Sequence, residues 1–211
     1  IKHNIGKKNI EFNSPVIKMI HNNKKITKII YNDNKITQVE SVLSSLPITT
    51  TINILDPKPP TEIQNIISEL SFRSIKLCVF LINKKRITDN ASIYFPEKKI
   101  PFTRLYEPKN RSKYLAPHNQ TAIVVEVPYT QNANYNNADN DGLQDSVQSF
   151  LIKNNFFNKE EIISTKIINI PYAYPVIKNE VINKVNSIIS YLKKFNNLHL
   201  LGRSAQFKYF H

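Results

Sequence analysis

The sequence predicts an α+β fold: a central, mostly antiparallel sheet with packed helices, plus a small β-meander. Three observations carry this. Thr121–Tyr129 (TAIVVEVPY) contains Ile123, Val124, Val125 and Val127, and β-branched side chains suit a pleated, packed surface. Its apolar continuity predicts cover on both faces. The shorter runs Ala91–Pro96 and Phe102–Glu107 flank a turn at Glu97–Pro101 and supply neighbouring strands. Finally, Val181, Ile182, Val185, Ile188, Ile189, Leu192 and Phe195 recur at helical spacing, which predicts an amphipathic helix over Asn179–Phe195.

In chain order, Ile1–Phe12 is polar and lysine-rich without a clear period. Val16–Asn22, Lys25–Tyr31 and Lys35–Leu46 read as strands of the meander. Asn32-Asp33-Asn34 supplies a turn, because Asn and Asp tolerate left-handed backbone. The third run ends at Val42–Pro47 (VLSSLP), a proline stop. Asp56–Pro60 (DPKPP) breaks the chain again. Thr61 and Gln64 have capping-box spacing, and Ile63, Ile66, Ile67 and Leu70 give the following helix its apolar face. Phe72–Ile82 reads as a buried strand, and Asn83–Asn90 as a charged turn. Pro108–Gln120 is a loop, and so is asparagine-rich Thr130–Asn140. Asp141 caps a helix with the stripe Leu143, Val147, Phe150 and Leu151. Ile162–Ile170 returns as a strand, Pro171–Pro175 (PYAYP) as a rigid aromatic turn, and Leu198–Leu201 as a last short strand before Gly202-Arg203.

Composition narrows the function. The chain has 211 residues, 41% of them hydrophobic, a net charge of +13 and a pI of about 9.7. Such a charge suits nucleic acid, an anionic membrane or a phosphorylated substrate. Lys, Asn and Ile are used as AT-rich coding would use them, so the lysines are read first as a solvated surface. The single cysteine, Cys78, sits in the apolar run Ile75–Ile82; it excludes an internal disulfide and fits a reduced, cytoplasmic setting. No run approaches the roughly eighteen apolar residues that span a bilayer.

Most familiar motifs fail on spacing. Asp139, Asp141 and Asp145 are not a calcium loop, since the twelfth position is Phe150 and not Glu. His3, His21, His118, His199 and His211 lack metal-ligand spacing. Neither a phosphate-binding glycine loop nor a nucleophile–histidine set can be identified. Phe102, Arg104, Tyr106, Lys109, Arg111 and Tyr114 interleave basic and aromatic residues. That pattern could grip single-stranded nucleic acid, but alternation between the two faces of a strand explains it more simply.

Three pieces, in this order, carry a resemblance: Val42–Pro47 (VLSSLP), Phe102–Asn110 with its sequel (FTRLYEPKNRS…LAP), and Pro171–Val176 with Leu200-Leu201-Gly202-Arg203. Together they resemble the C-terminal portion of FAD-dependent proteins of the amine oxidase superfamily, close to its protoporphyrinogen oxidase-like and UDP-galactopyranose mutase-like branch. The resemblance implies that residues 1–56 are the meander and strand of an incomplete FAD-binding domain. It makes 57–195 a substrate-binding domain and 196–211 a return segment toward the FAD domain. Ser45, Leu46, Pro47, Gly202 and Arg203 would border FAD, with Arg203 stabilising negative charge on reduced flavin or on a substrate phosphate. Tyr94, Arg104, Tyr106 and Tyr174 would line the substrate wall. No residue is assigned as a catalytic base.

The implied function is the substrate-binding portion of an FAD-dependent oxidoreductase. Its substrate would be small and phosphorylated or otherwise anionic, and this stretch would be inactive alone. The alternatives are a UDP-galactopyranose mutase-like flavoprotein acting on a nucleotide sugar, or a non-catalytic basic module for nucleic acid or anionic lipid. Nucleic acid is not the expected partner. The family's N-terminal dinucleotide fingerprint and its helix after Gly-Arg have no matching signal here.

Gly6, Gly142 and Gly202 are too far apart to form the glycine-rich turn that admits a pyrophosphate. The purified 211-residue chain is therefore expected to be colourless and to leave FAD fluorescence unchanged at micromolar protein. A yellow preparation that releases stoichiometric flavin on denaturation would contradict this.

Overall fold

A computed structural model describes residues 6, 9–32, 34–129 and 140–209. Asp33, Asp139, His3, His211 and the expected loop up to residue 139 lie outside the described residues. The chain forms two compact units, Ile1–Ser71 with Tyr174–His211, and Phe72–Ala173.

The first unit opens with β1 (Val16–Asn22), β2 (Lys25–Tyr31) and β3 (Lys35–Gln38), which pair antiparallel as the expected meander. Asn23, Lys24, Asn32 and Asn34 all take positive φ at its turns. The single strand expected over Lys35–Leu46 is in fact two. The chain leaves the meander after Gln38, and β4 (Val42–Ser44) joins a different sheet. Neither glycine nor proline marks this break. All four residues of β3 are exposed, so burial does not extend that strand.

Helix α1 (Ile48–Asn53) follows Pro47 although Thr49–Thr51 is a poor helix-forming run; burial of Ile48, Thr51 and Ile52 overrides propensity. Strand β5 (Leu55–Asp56) then pairs parallel with β1. In α2 (Thr61–Ser68) Thr61 is the first helical residue and Pro60 the N-cap, with no side-chain cap. The expected capping box does not form; proline's fixed φ starts the helix instead, and Gln64 Nε2 donates to the Pro59 carbonyl at 2.7 Å.

The second unit is a five-stranded sheet with the order β10-β6-β9-β8-β7: β6 (Phe72–Ile82), β7 (Ser92–Tyr94), β8 (Arg104–Tyr106), β9 (Thr121–Tyr129) and β10 (Ile162–Pro175). The β6–β9, β8–β9 and β7–β8 pairs are antiparallel. The β6–β9 register runs unbroken from Ser74↔Tyr129 to Ile82↔Thr121. On one face Cys78, Phe80, Ile123, Val125, Val127 and Leu105 pack with Leu143, Val147 and Leu151 of helix α3 (Asn140–Lys153). Burial pushes the Cys78 thiol up to about 11, so it stays protonated and acts as a small apolar residue.

Pro171–Pro175, expected as a turn, instead ends β10. Tyr172 turns to a φ of 54° without ending the strand, and its ring meets Phe72 edge-on at 5.4 Å.

Back in the first unit, α4 (Asn179–Leu192) buries Val181, Val185, Ile188 and Leu192, as the apolar period requires. Strand β11 (Leu198–Leu200) lies parallel to β4. Buried Asn197 joins this pair to the meander: its side chain exchanges bonds with the Ile26 backbone at 2.8 Å and donates to the Glu40 carbonyl at 2.9 Å. A short helix, α5 (Gly202–Gln206), starts at the Gly-Arg segment, where the sequence carried no helix signal. No helix among the described residues is long and apolar enough to cross a membrane.

Val125 is fully buried between Cys78 and Leu105 of the flanking strands. Val125→Asp would bury an unpaired charge and should cost on the order of 4 kcal/mol or more. Thermal unfolding of the variant chain should show a collapsed transition; an unchanged midpoint would refute this packing.

Candidate functional site

In the first unit two segments, a loop and the start of α5, leave the carboxyl ends of adjacent parallel strands. Ser45–Pro47 follows β4 and Leu201–Arg203 follows β11, and the Leu201 amide donates to the Ser44 carbonyl at 2.8 Å. Buried Ser44 and Thr51 share a hydroxyl hydrogen bond of 3.2 Å, which ties the strand end to α1. The carboxyl ends of parallel strands are where open α/β sheets receive ligands. Gly202 has a φ of +77° with open space where a Cβ would stand, so backbone conformation rather than crowding requires glycine here.

Arg203 is exposed, and its guanidinium carbon lies 4.7 Å from the centre of the Tyr174 ring. Tyr174 stacks on Tyr209 at 6.3 Å, and the Tyr209 hydroxyl donates to the Pro175 carbonyl at 3.0 Å. The structure thus brings Ser45–Pro47 beside Gly202-Arg203, and Tyr174 beside Arg203. Tyr209 escaped sequence reading because a lone tyrosine near the chain end has no periodic context.

In the second unit Tyr94, Arg104 and Glu126 form one cross-strand row, with Tyr106 two residues along β8. These residues lie on the sheet face opposite α3. The Arg104 guanidinium pairs with Glu126 and lies 5.9 Å from the Tyr94 ring and 5.2 Å from the Tyr106 ring. Arg111 adds a second guanidinium, 5.7 Å from Tyr106 and hydrogen-bonded to Ser92 Oγ at 3.1 Å. Cations at this distance from an aromatic face are attracted to it. The same face carries Leu77, Val79 and Leu81, none of them fully buried. An apolar strip beside cationic and phenolic groups can hold a small anionic molecule that also has an apolar or ring surface.

Phe102 sits in the core and not on this face, so the basic–aromatic interleaving divides between two faces, as strand alternation requires. Glu126 was the missed residue with a readable signal: a carboxylate inside a β-branched run needs a buried cation partner, and Arg104 supplies it.

Behind the row, the segment Glu107–Arg111 fastens the sheet end. Fully buried Glu107 accepts from the Ile87 and Thr88 amides at 3.2 and 2.9 Å, from Thr121 Oγ1 at 2.6 Å and from Asn110 Nδ2 at 3.3 Å. Asn110 Nδ2 also donates to the Thr88 and Asn90 carbonyls at 2.6 and 3.0 Å.

Residues 12–151 match the sequence profile of a family described as UDP-galactopyranose mutase. Among solved structures, the chain is similar to a reduced UDP-galactopyranose mutase, with a TM-score of 0.72 and 17% identity over 97% of this chain and 44% of that one. It is also similar to a protoporphyrinogen oxidase-like protein from Exiguobacterium sp. (TM-score 0.65, 13% identity, 90% of this chain and 42% of that one). A putrescine oxidase bound to putrescine is a further neighbour (TM-score 0.53, 11% identity, 74% and 34%). At such identities the likeness is one of fold, and the chain spans less than half the length of these structures. No curated protein matches the sequence.

Glu107→Ala would strand three buried or half-buried donors, the Ile87 and Thr88 amides and the Thr121 hydroxyl, and should cost about 3 kcal/mol. Glu69→Ala, which removes only a surface pair with Lys184, should stay within about 0.5 kcal/mol. Urea unfolding of both variants tests the contrast; equal effects would mean that the Glu107 clamp contributes nothing.

Proposed function

This chain belongs to the UDP-galactopyranose mutase family, and on that premise we propose that it is the substrate-binding part of an FAD-dependent enzyme. The observation that carries the reading is the second face of the five-stranded sheet. One face is filled by α3, while the other presents Tyr94, Arg104 and Tyr106 in one cluster. We assign substrate binding to residues within 57–195, and the cofactor border to 1–56 and 196–211.

Ser45, Leu46, Pro47, Gly202 and Arg203 suit the edge of a flavin. They are exposed or half-buried at paired strand ends, and the space above Gly202 is open. They do not suit a pyrophosphate, which calls for a glycine-rich turn. That grip belongs to a dinucleotide-binding unit of the complete protein. Bound FAD supplies the electron chemistry. This chain's residues orient and hold charge: Arg203 faces negative charge on the flavin or on a substrate phosphate, and Tyr174 keeps its guanidinium in place.

The substrate is a small anionic molecule. UDP-galactopyranose is the compound to test first, because the matched family carries that name. A basic module for nucleic acid would instead show sequence-independent DNA binding with steep salt dependence.

The test uses the complete protein. It should purify with a flavin spectrum and bind UDP. Arg203→Ala should leave the unfolding midpoint within a degree or two, because a side chain exposed this far contributes little to stability, and should lower flavin affinity or turnover about ten-fold or more. Absence of flavin, or lost stability with full activity, would overturn the reading.

A further inference from the structure

Arg111 stands on the face opposite α3, although it lies outside the strands of the sheet. It follows β8 by five residues, across the one-turn 3-10 segment Pro108–Asn110. That turn closes on itself through Asn110 N to Glu107 O at 3.0 Å and Arg111 N to Pro108 O at 2.9 Å. It is then pinned from two sides. Asn110 bonds the turn at Thr88–Asn90, as described above. On the other side the Lys109 ammonium donates to three carbonyls, those of Pro117, His118 and Gln120, each at 2.7 Å. An ammonium has three donors, so all three are spent on one stretch of backbone. Lys109 therefore closes the loop between β8 and β9 like a bound cation. The residue next but one along the chain is the one whose guanidinium must sit over Tyr106.

We propose that Lys109 is a positioning residue: by tying the Pro108–Asn110 turn to the Pro117–Gln120 backbone it fixes the Arg111 guanidinium over Tyr106 as an anion receptor. This rests on the reading that the Tyr94–Arg104–Tyr106 face takes an anionic substrate. Among the described residues no carboxylate pairs with Arg111, whereas Arg104 is already neutralised by Glu126. Arg111 is thus a guanidinium beside Tyr106 with charge to offer a ligand. A preorganised cation binds an anion more tightly than a mobile one, because the ordering cost is met in folding. Two of the three Lys109 contacts are exposed, so water can replace the ammonium and a Lys109 variant should still fold.

Two measurements on the complete protein test the proposal. The first is NMR of the Arg111 side chain, whose δ-proton and guanidinium signals should carry a ring-current shift from Tyr106. Lys109→Met and Tyr106→Leu should each abolish it, and Lys109→Arg, which keeps a multiple donor, should restore most of it. The second is UDP titration. Lys109→Met should weaken binding about ten-fold, as Arg111→Ala should, since a charge-assisted hydrogen bond is at stake. The double variant should be no weaker than either single one. An unchanged Arg111 shift in Lys109→Met, or additive losses in the double variant, would show that Lys109 is only a loop fastener. Failure of the parent protein to bind UDP would count against the substrate reading, and the ring-current result would still decide the role of Lys109.

Discussion

The nine-residue register between β6 and β9 is the constraint on which the second unit depends. Antiparallel pairing from Ser74↔Tyr129 to Ile82↔Thr121 sends alternate residues to opposite faces. Cys78, Val125 and Leu105 therefore face α3, while Leu77, Glu126 and Arg104 face away. A slip by one residue would put Glu126 into the apolar core and Val125 onto the opposite face. Core and candidate site are thus specified together, by the same row of hydrogen bonds. The Arg104–Glu126 pair is correct only in this register, because each would otherwise be a half-buried charge without a partner.

The short motif Glu107–Arg111 works by the same economy of placement. Each polar side chain leaves the turn in a different direction and meets a different neighbour. Glu107 reaches the turn at residues 87–88 and the start of β9, Lys109 the Pro117–Gln120 backbone, Asn110 the carbonyls of Thr88 and Asn90, and Arg111 Ser92 and Tyr106. A loop that is polar in sequence is therefore rigid in structure. The charges of Glu107 and Lys109 are committed largely to backbone groups that would otherwise need water. This rigidity is what makes a loop-borne arginine usable on a binding face.

Long-period signals were legible in the sequence. The β-branched run of β9, the apolar stripes of α3 and α4 and the asparagine turns of the meander all emerged where pattern and burial agree. What was not legible depends on contacts distant in sequence. The break between β3 and β4 has no turn residue, because it is set by Asn197 and β11 far along the chain. The threonine-rich α1 is decided by burial against its own propensity. The candidate site was half legible. Tyr94, Arg104 and Tyr106 were named together with Tyr174, and the structure clusters the first three but sets Tyr174 against Arg203, which was named apart from it; Glu126, Arg111 and Tyr209 gain their contacts only through pairing across strands or across the chain end.

Long-range closure also explains why the first unit can present a strand-end site at all. β4 and β11 are 3-residue strands separated by more than 150 positions, and two such strands have little stability as an isolated pair. Asn197 resolves this by working with both its backbone and its side chain. Its carbonyl accepts from the Val42 amide at 2.8 Å, while its amide group bonds the meander at Ile26 and the chain at Glu40. A buried amide with all these bonds satisfied is stable, whereas an aspartate at the same place would leave the Ile26 and Glu40 carbonyls unmatched, and a leucine the Ile26 amide as well. The spacing between Ser45–Pro47 and Gly202-Arg203 is thus inherited from a residue that touches neither segment. The candidate flavin border is tied to the meander through one asparagine, which gives the meander a part in placing the site.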